Sequence, residues 1–98
     1  MDRLAPSCAL DSQGLERQRE RYGQLAPSVL HLERAGDLLT VDFGPAFDRA
    51  TLDEAIAVER ECCPFFTFAF DEQQRRLQVG VDDAGLADAL DGIGHALS

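Results

Sequence analysis

The spacing of apolar positions alternates along this chain between helical and strand-like periods. From Ser12 to Leu25, Leu15, Gln18, Tyr22 and Leu25 share one helical face, and Arg17, Glu20 and Arg21 lie outside it. Ser12 supplies an N-cap and Ala26-Pro27 stops the helix. Val29 to Glu33 then alternates, Arg34-Ala35-Gly36-Asp37 turns, and Leu38 to Phe43 continues as a second strand. Leu39, Val41 and Phe43 point one way there, Thr40 and Asp42 the other, until Gly44-Pro45 breaks the strand. A second helix is predicted over 51–62, opened by a capping box of Thr51 and Glu54. Leu52, Ala55, Ile56, Glu59 and Cys63 keep helical spacing, and Pro64 ends the run. A third strand over 65–70 puts Phe66, Phe68 and Phe70 on one face. Polar residues 71–76 form a loop, and 77–81 return as a fourth strand. Asp83 caps a last helix over 84–96 with the stripe Leu86, Leu90, Ile93 and Leu97. Gly92 and Gly94 weaken it by ~1 kcal/mol each against alanine.

The resulting order is α-ββ-α-ββ-α, with residues 28–63 and 65–97 both reading hairpin-then-helix. The simplest architecture is α+β: one four-stranded antiparallel sheet with helices packed on one face. The chain is read as a single domain, 1–98, preceded within it by an irregular arm over 1–11. Leu39, Val41, Ile56, Phe66, Phe68, Val79, Leu86, Leu90 and Ile93 are the expected core. The opposite sheet face carries His31, Glu33, Thr40, Asp42, Thr67 and Gln78. A homodimer through that face or through an edge strand is expected as one mode of association.

Charge narrows the partners. The 98 residues carry a net charge of −9. That argues against nucleic acid and anionic membrane surfaces, which select clustered cations. All nine basic residues are arginines, so lysine Schiff-base chemistry is excluded. The N-terminal residues lack the apolar core of a signal peptide, and no run approaches the ~20 apolar residues of a membrane span. A cytoplasmic location is therefore expected, with its thiols reduced.

The candidate chemistry is thiol chemistry. Cys62 and Cys63 adjoin in Glu59-Arg60-Glu61-Cys62-Cys63-Pro64-Phe65-Phe66, and Cys8 lies near the start. Neighbours on a helix stand ~100° apart. Cys63, seven residues after Ile56, is thus expected to face inward, and Cys62 to face solvent or a crevice. Proline at 64 disfavours the helical conformation at Cys63, so the pair can open away from the helix. A disulfide between adjacent cysteines is strained, whereas two thiolates on one soft ion are not. Cu(I), Zn(II) and Hg(II) all select thiolate. The helix C-terminus, Glu59 and Glu61 oppose a lone thiolate, and a bound cation would supply the missing charge. Core packing is the competing reading, because free cysteine is among the most buried residue types. His31 and His95 read as surface and helix-end residues, and the Phe65–Phe70 row as core that could also shield the thiols. No zinc-finger or thioredoxin-like CxxC is present, nor any Walker, HExxH or GxSxG motif.

The string Glu59-Arg60-Glu61-Cys62-Cys63-Pro64-Phe65-Phe66-Thr67-Phe68, with Cys8-Ala9-Leu10 ahead of it and an arginine-rich helix between, resembles a group of small uncharacterised bacterial proteins. These share an ERxCCPF motif and are loosely associated with metal resistance. A shorter resemblance is to organomercurial lyases. Cys8-Ala9-Leu10-Asp11 is similar to the lyase segment bearing one catalytic cysteine and, three residues on, the catalytic aspartate. Cys62-Cys63 with Phe65-Phe66 is similar to the segment bearing the second cysteine. That resemblance implies that Cys8 and Cys62 or Cys63 hold mercury and that Asp11 helps protonate the leaving carbon. It spans about fifteen of the 98 residues.

Three functions follow as expectations. The first is capture of a soft metal ion or organometal by Cys8, Cys62 and Cys63, with mercury, copper or zinc as cargo, for resistance, sequestration or delivery. The second is carbon–mercury bond cleavage using Asp11. The third is an interaction module without a site.

Overall fold

The computed structural model describes residues 12–98. Helix α1, Ser12–Leu25, leads through a 3-10 turn at Ala26–Ser28 into strand β1, Val29–Ala35, and then β2, Leu38–Phe43. Helix α2, Arg49–Cys62, is followed by β3, Phe66–Asp71, and β4, Arg76–Val81. A second 3-10 turn at Ala84–Leu86 precedes α3, Ala89–Leu97. The α-ββ-α-ββ-α order is the one the hydrophobic pattern predicts.

The four strands form one antiparallel sheet in the order β1-β2-β4-β3. Each hairpin contributes an inner strand, β2 and β4, and an edge strand, β1 and β3. Alternation sorts the faces. Leu39, Val41, Phe43, Phe66, Leu77 and Val79 are buried on the helix side. Thr67, Gln78, His31 and Glu33 on the other side are exposed, and Thr40 and Asp42 half-buried. Helix α3 lies over β1, β2 and β4, α2 lies along β3, and α1 packs against both other helices. Gly94 marks the close approach of α3. A Cβ there would come within 3.6 Å of Leu32 and Leu39 side-chain carbons, whereas one at Gly92 would meet nothing. Both distances are ordinary van der Waals contact, so the packing demands glycine at neither position.

The first hairpin turns at Gly36-Asp37, and Gly36 adopts φ +60. A left-handed first residue matches the right-handed twist of the flanking strands and favours glycine. The tighter turn lets β1 run on to Ala35, two residues past the expected end. A register irregularity between Val29 and His31 leaves Leu30 70% exposed.

Both later helices start elsewhere than predicted. The N-cap of α2 is Asp48, whose carboxylate accepts the Thr51 amide at 3.2 Å. An aspartate three residues upstream out-competes the Thr51–Glu54 box, because it accepts an amide while keeping an extended backbone itself. Asp83 caps the 3-10 turn, accepting from the Gly85 amide at 2.9 Å, and α3 begins only at Ala89. Leu86 is consequently half-buried. Ile56 and Phe68 are also half-buried, because they lie where α2 meets the outermost strand.

Candidate functional site

The site is built at the C-terminus of α2. The Cys63 amide donates to the Glu59 carbonyl at 2.7 Å, closing the last helical turn, yet Cys63 itself has φ −131 and ψ 71. Proline at 64 accounts for this departure, since its ring clashes with a helical preceding residue. The chain then turns tightly, the Phe66 amide donating to the Cys63 carbonyl at 3.1 Å, and enters β3.

This geometry corrects the expected orientation of the thiols. Cys62 does not face solvent: it is only 9% exposed, and Cys63 3%. The buried stripe of α2 is Thr51, Leu52, Ala55, Glu59 and Cys62. Cys62 belongs to it through its spacing of three from Glu59 and seven from Ala55. Cys63 is off the helical spiral, and the bend before Pro64 carries it inward too. Both adjacent thiols thus join the core.

Beside them lies a polar cluster between α1 and α2. The Glu59 carboxyl is buried, and its Oε2 accepts two hydrogen bonds, from the Tyr22 hydroxyl at 2.6 Å and from Gln18 Nε2 at 3.0 Å. Gln18 Nε2 also donates to the Ala55 carbonyl at 2.9 Å, and Gln18 Oε1 accepts from Arg21 at 3.0 Å. Arg21 in turn lies 3.6 Å from Glu54 at the surface. Among the described residues no buried side-chain polar atom lacks a partner. Burial raises the Tyr22 phenol well above its ordinary range, with the Glu59 charge and hydrogen bond adding to the rise. Cys63 adds to the rise as the smallest of its causes. The Phe65 and Phe66 rings follow, with centroids 4.6 Å apart, and Phe66 is buried.

Cys8 and Asp11 lie outside the described residues. Among the described residues no three His, Cys, Asp or Glu side chains are grouped to hold a metal ion. His31 sits exposed on the open sheet face, 3.7 Å from Glu33, and His95 is exposed on α3. Sequence reasoning put Gln18, Tyr22 and Glu59 on inward faces but did not join them. The available signal was three polar residues on the apolar stripes of two helices that pack together.

Comparison with known families, curated proteins and solved structures finds no match. No helix among the described residues is long and apolar enough to cross a membrane.

Proposed function

We propose that this chain captures a soft thiophilic ion or organometal through Cys62 and Cys63, for resistance, sequestration or delivery in the cytoplasm. The observation that supports this reading is the burial of both adjacent thiols at a helix end. A lone thiolate there is opposed by desolvation and by the negative end of the helix. Two thiolates on one divalent soft ion make a neutral unit, which burial does not oppose. Two described sulfurs suit a two-coordinate cargo, with mercury ahead of copper. Structural zinc requires four ligands, and Cys8 would add only a third. Tyr22 shares one buried cluster with Cys62 and Cys63, and it is the only tyrosine in a chain without tryptophan.

Native mass spectrometry of the reduced protein with HgCl2 tests the reading, with Tyr22 emission as a second readout. One equivalent should bind, change the emission and raise the melting temperature. Cys62→Ala/Cys63→Ala, which keeps the sites small and apolar, should lose all three responses. Equal affinity in the double variant would overturn the proposal. With an organomercurial and excess thiol the protein should bind without releasing hydrocarbon. Release that Asp11→Asn slows would instead establish the lyase reading.

A further inference from the structure

The edge of the sheet at β3 and the exposed face of α2 form a surface that is complementary to itself. The Phe65 carbonyl accepts the Asp82 amide at 3.0 Å, across the β3–β4 ladder. By antiparallel alternation Thr67 and Ala69 also direct their backbone groups toward β4, so those of Phe68 and Phe70 point away from the sheet. Among the described residues no strand pairs with β3 on that side. Arg60 of α2 reaches over it, with its guanidinium 5.9 Å from the Phe68 ring and a long 3.5 Å contact to the Phe68 carbonyl. An open groove runs between helix and strand, lined by Asp53, Ile56, Ala57, Arg60, Phe68 and Phe70 and closed at one end by Arg49, which pairs with Asp53 at 3.0 Å and lies 4.5 Å over the Phe70 ring.

We propose that a second copy of this chain docks here, pairing β3 with β3 antiparallel to make one continuous eight-stranded sheet. Centred on Ala69, the pairing sets Phe68 opposite Phe70 of the second copy, where both residues offer outward N–H and C=O groups. Exposed, small Ala69 meets itself at the two-fold axis, where directly opposed Cα atoms stand only ~4.5 Å apart. The two α2 helices then run antiparallel above the junction. An axis between Ile56 and Ala57 places Arg60 of each copy against Asp53 of the other, because both are three to four residues from the centre. The charge order along this helix face is thus complementary to its own reverse, as an isologous interface requires. Small Ala57 lets the helices approach. The dimer does not involve the thiols, so it stands or falls apart from metal capture.

Sedimentation of the full-length protein across a concentration series tests this, paired with amide hydrogen exchange resolved to single residues. The wild type should dimerise, and the amides of Phe68 and Phe70 should gain protection with concentration. Arg60→Glu removes two cross-axis ion pairs and sets like charges against each other twice in their place. It should therefore weaken dimerisation about tenfold. Arg60→Glu/Asp53→Arg restores complementarity and should recover the dimer. A wild type that stays monomeric overturns the proposal. So does a dimer in which Phe68 and Phe70 remain unprotected, or one that the double variant fails to rescue. Far-ultraviolet circular dichroism confirms that both variants are folded.

Discussion

Tyr22→Phe isolates the contact that ties the buried carboxyl to α1. The substitution keeps the ring that packs in the core and removes only the hydroxyl, which donates to Glu59 across 2.6 Å. That lies at the short end of hydroxyl–oxygen hydrogen bonds. Hydrogen bonds to charged groups contribute ~1.5–3 kcal/mol net, and removing one partner leaves the other buried without it. Gln18 would remain as the second donor to the same oxygen, at 3.0 Å, which limits the loss. A destabilisation of about 2 kcal/mol is expected, a large share of the ~5–15 kcal/mol that holds a domain together. At ~4–8 °C per kcal/mol for a domain of this size, the melting temperature should fall by about 8–16 °C. Urea unfolding followed by far-ultraviolet circular dichroism measures it, and the m-value should not change. Glu59→Gln completes a double-mutant cycle, and coupling of about 1 kcal/mol or more is expected. A Tyr22→Phe loss under about 0.5 kcal/mol, or additive single variants, would refute the account of Glu59 as a carboxylate held by α1.

Alkaline pH should act through the same phenol. Burial holds Tyr22 well above the ordinary tyrosine value, so the folded state keeps a proton that the unfolded state loses above pH ~10. Stability should be level with respect to this group below that pH and fall above it by up to ~1.4 kcal/mol per unit. The single tyrosinate absorbance change should then coincide with unfolding; a tyrosinate seen at pH ~10 in folded protein would contradict this. For the start of α2, Asp48→Ala should cost about 1 kcal/mol through the lost bond to the Thr51 amide. Glu54→Ala should change stability by less than about 0.5 kcal/mol, and chemical denaturation that ranks them the other way would restore the capping box.

Element types, their order and the helix-bearing face of the sheet were legible in the sequence because each rests on a period. Period two in Leu39, Val41 and Phe43 can satisfy only a strand with one buried face. The spacing of Gln18, Tyr22 and Leu25 can satisfy only a helix. Proline at 64 likewise dictated that Cys63 leave the helical path, since that clash is local. Boundaries were less legible: Asp48 and Thr51 both offer caps, and which one acts depends on where the chain arrives from β2. The site was least legible of all. Helical geometry places two neighbouring side chains on different bearings, yet it does not say what covers each bearing. Cys62 is buried because its stripe faces the helix packing, and Cys63 because the bend into β3 turns it inward. The contact of Glu59 with Tyr22 joins residues 37 apart in the chain. No local pattern encodes such a pair; it exists only once burial of apolar surface has brought α1 against α2, leaving that carboxyl no nearer partner than the phenol and the amide facing it.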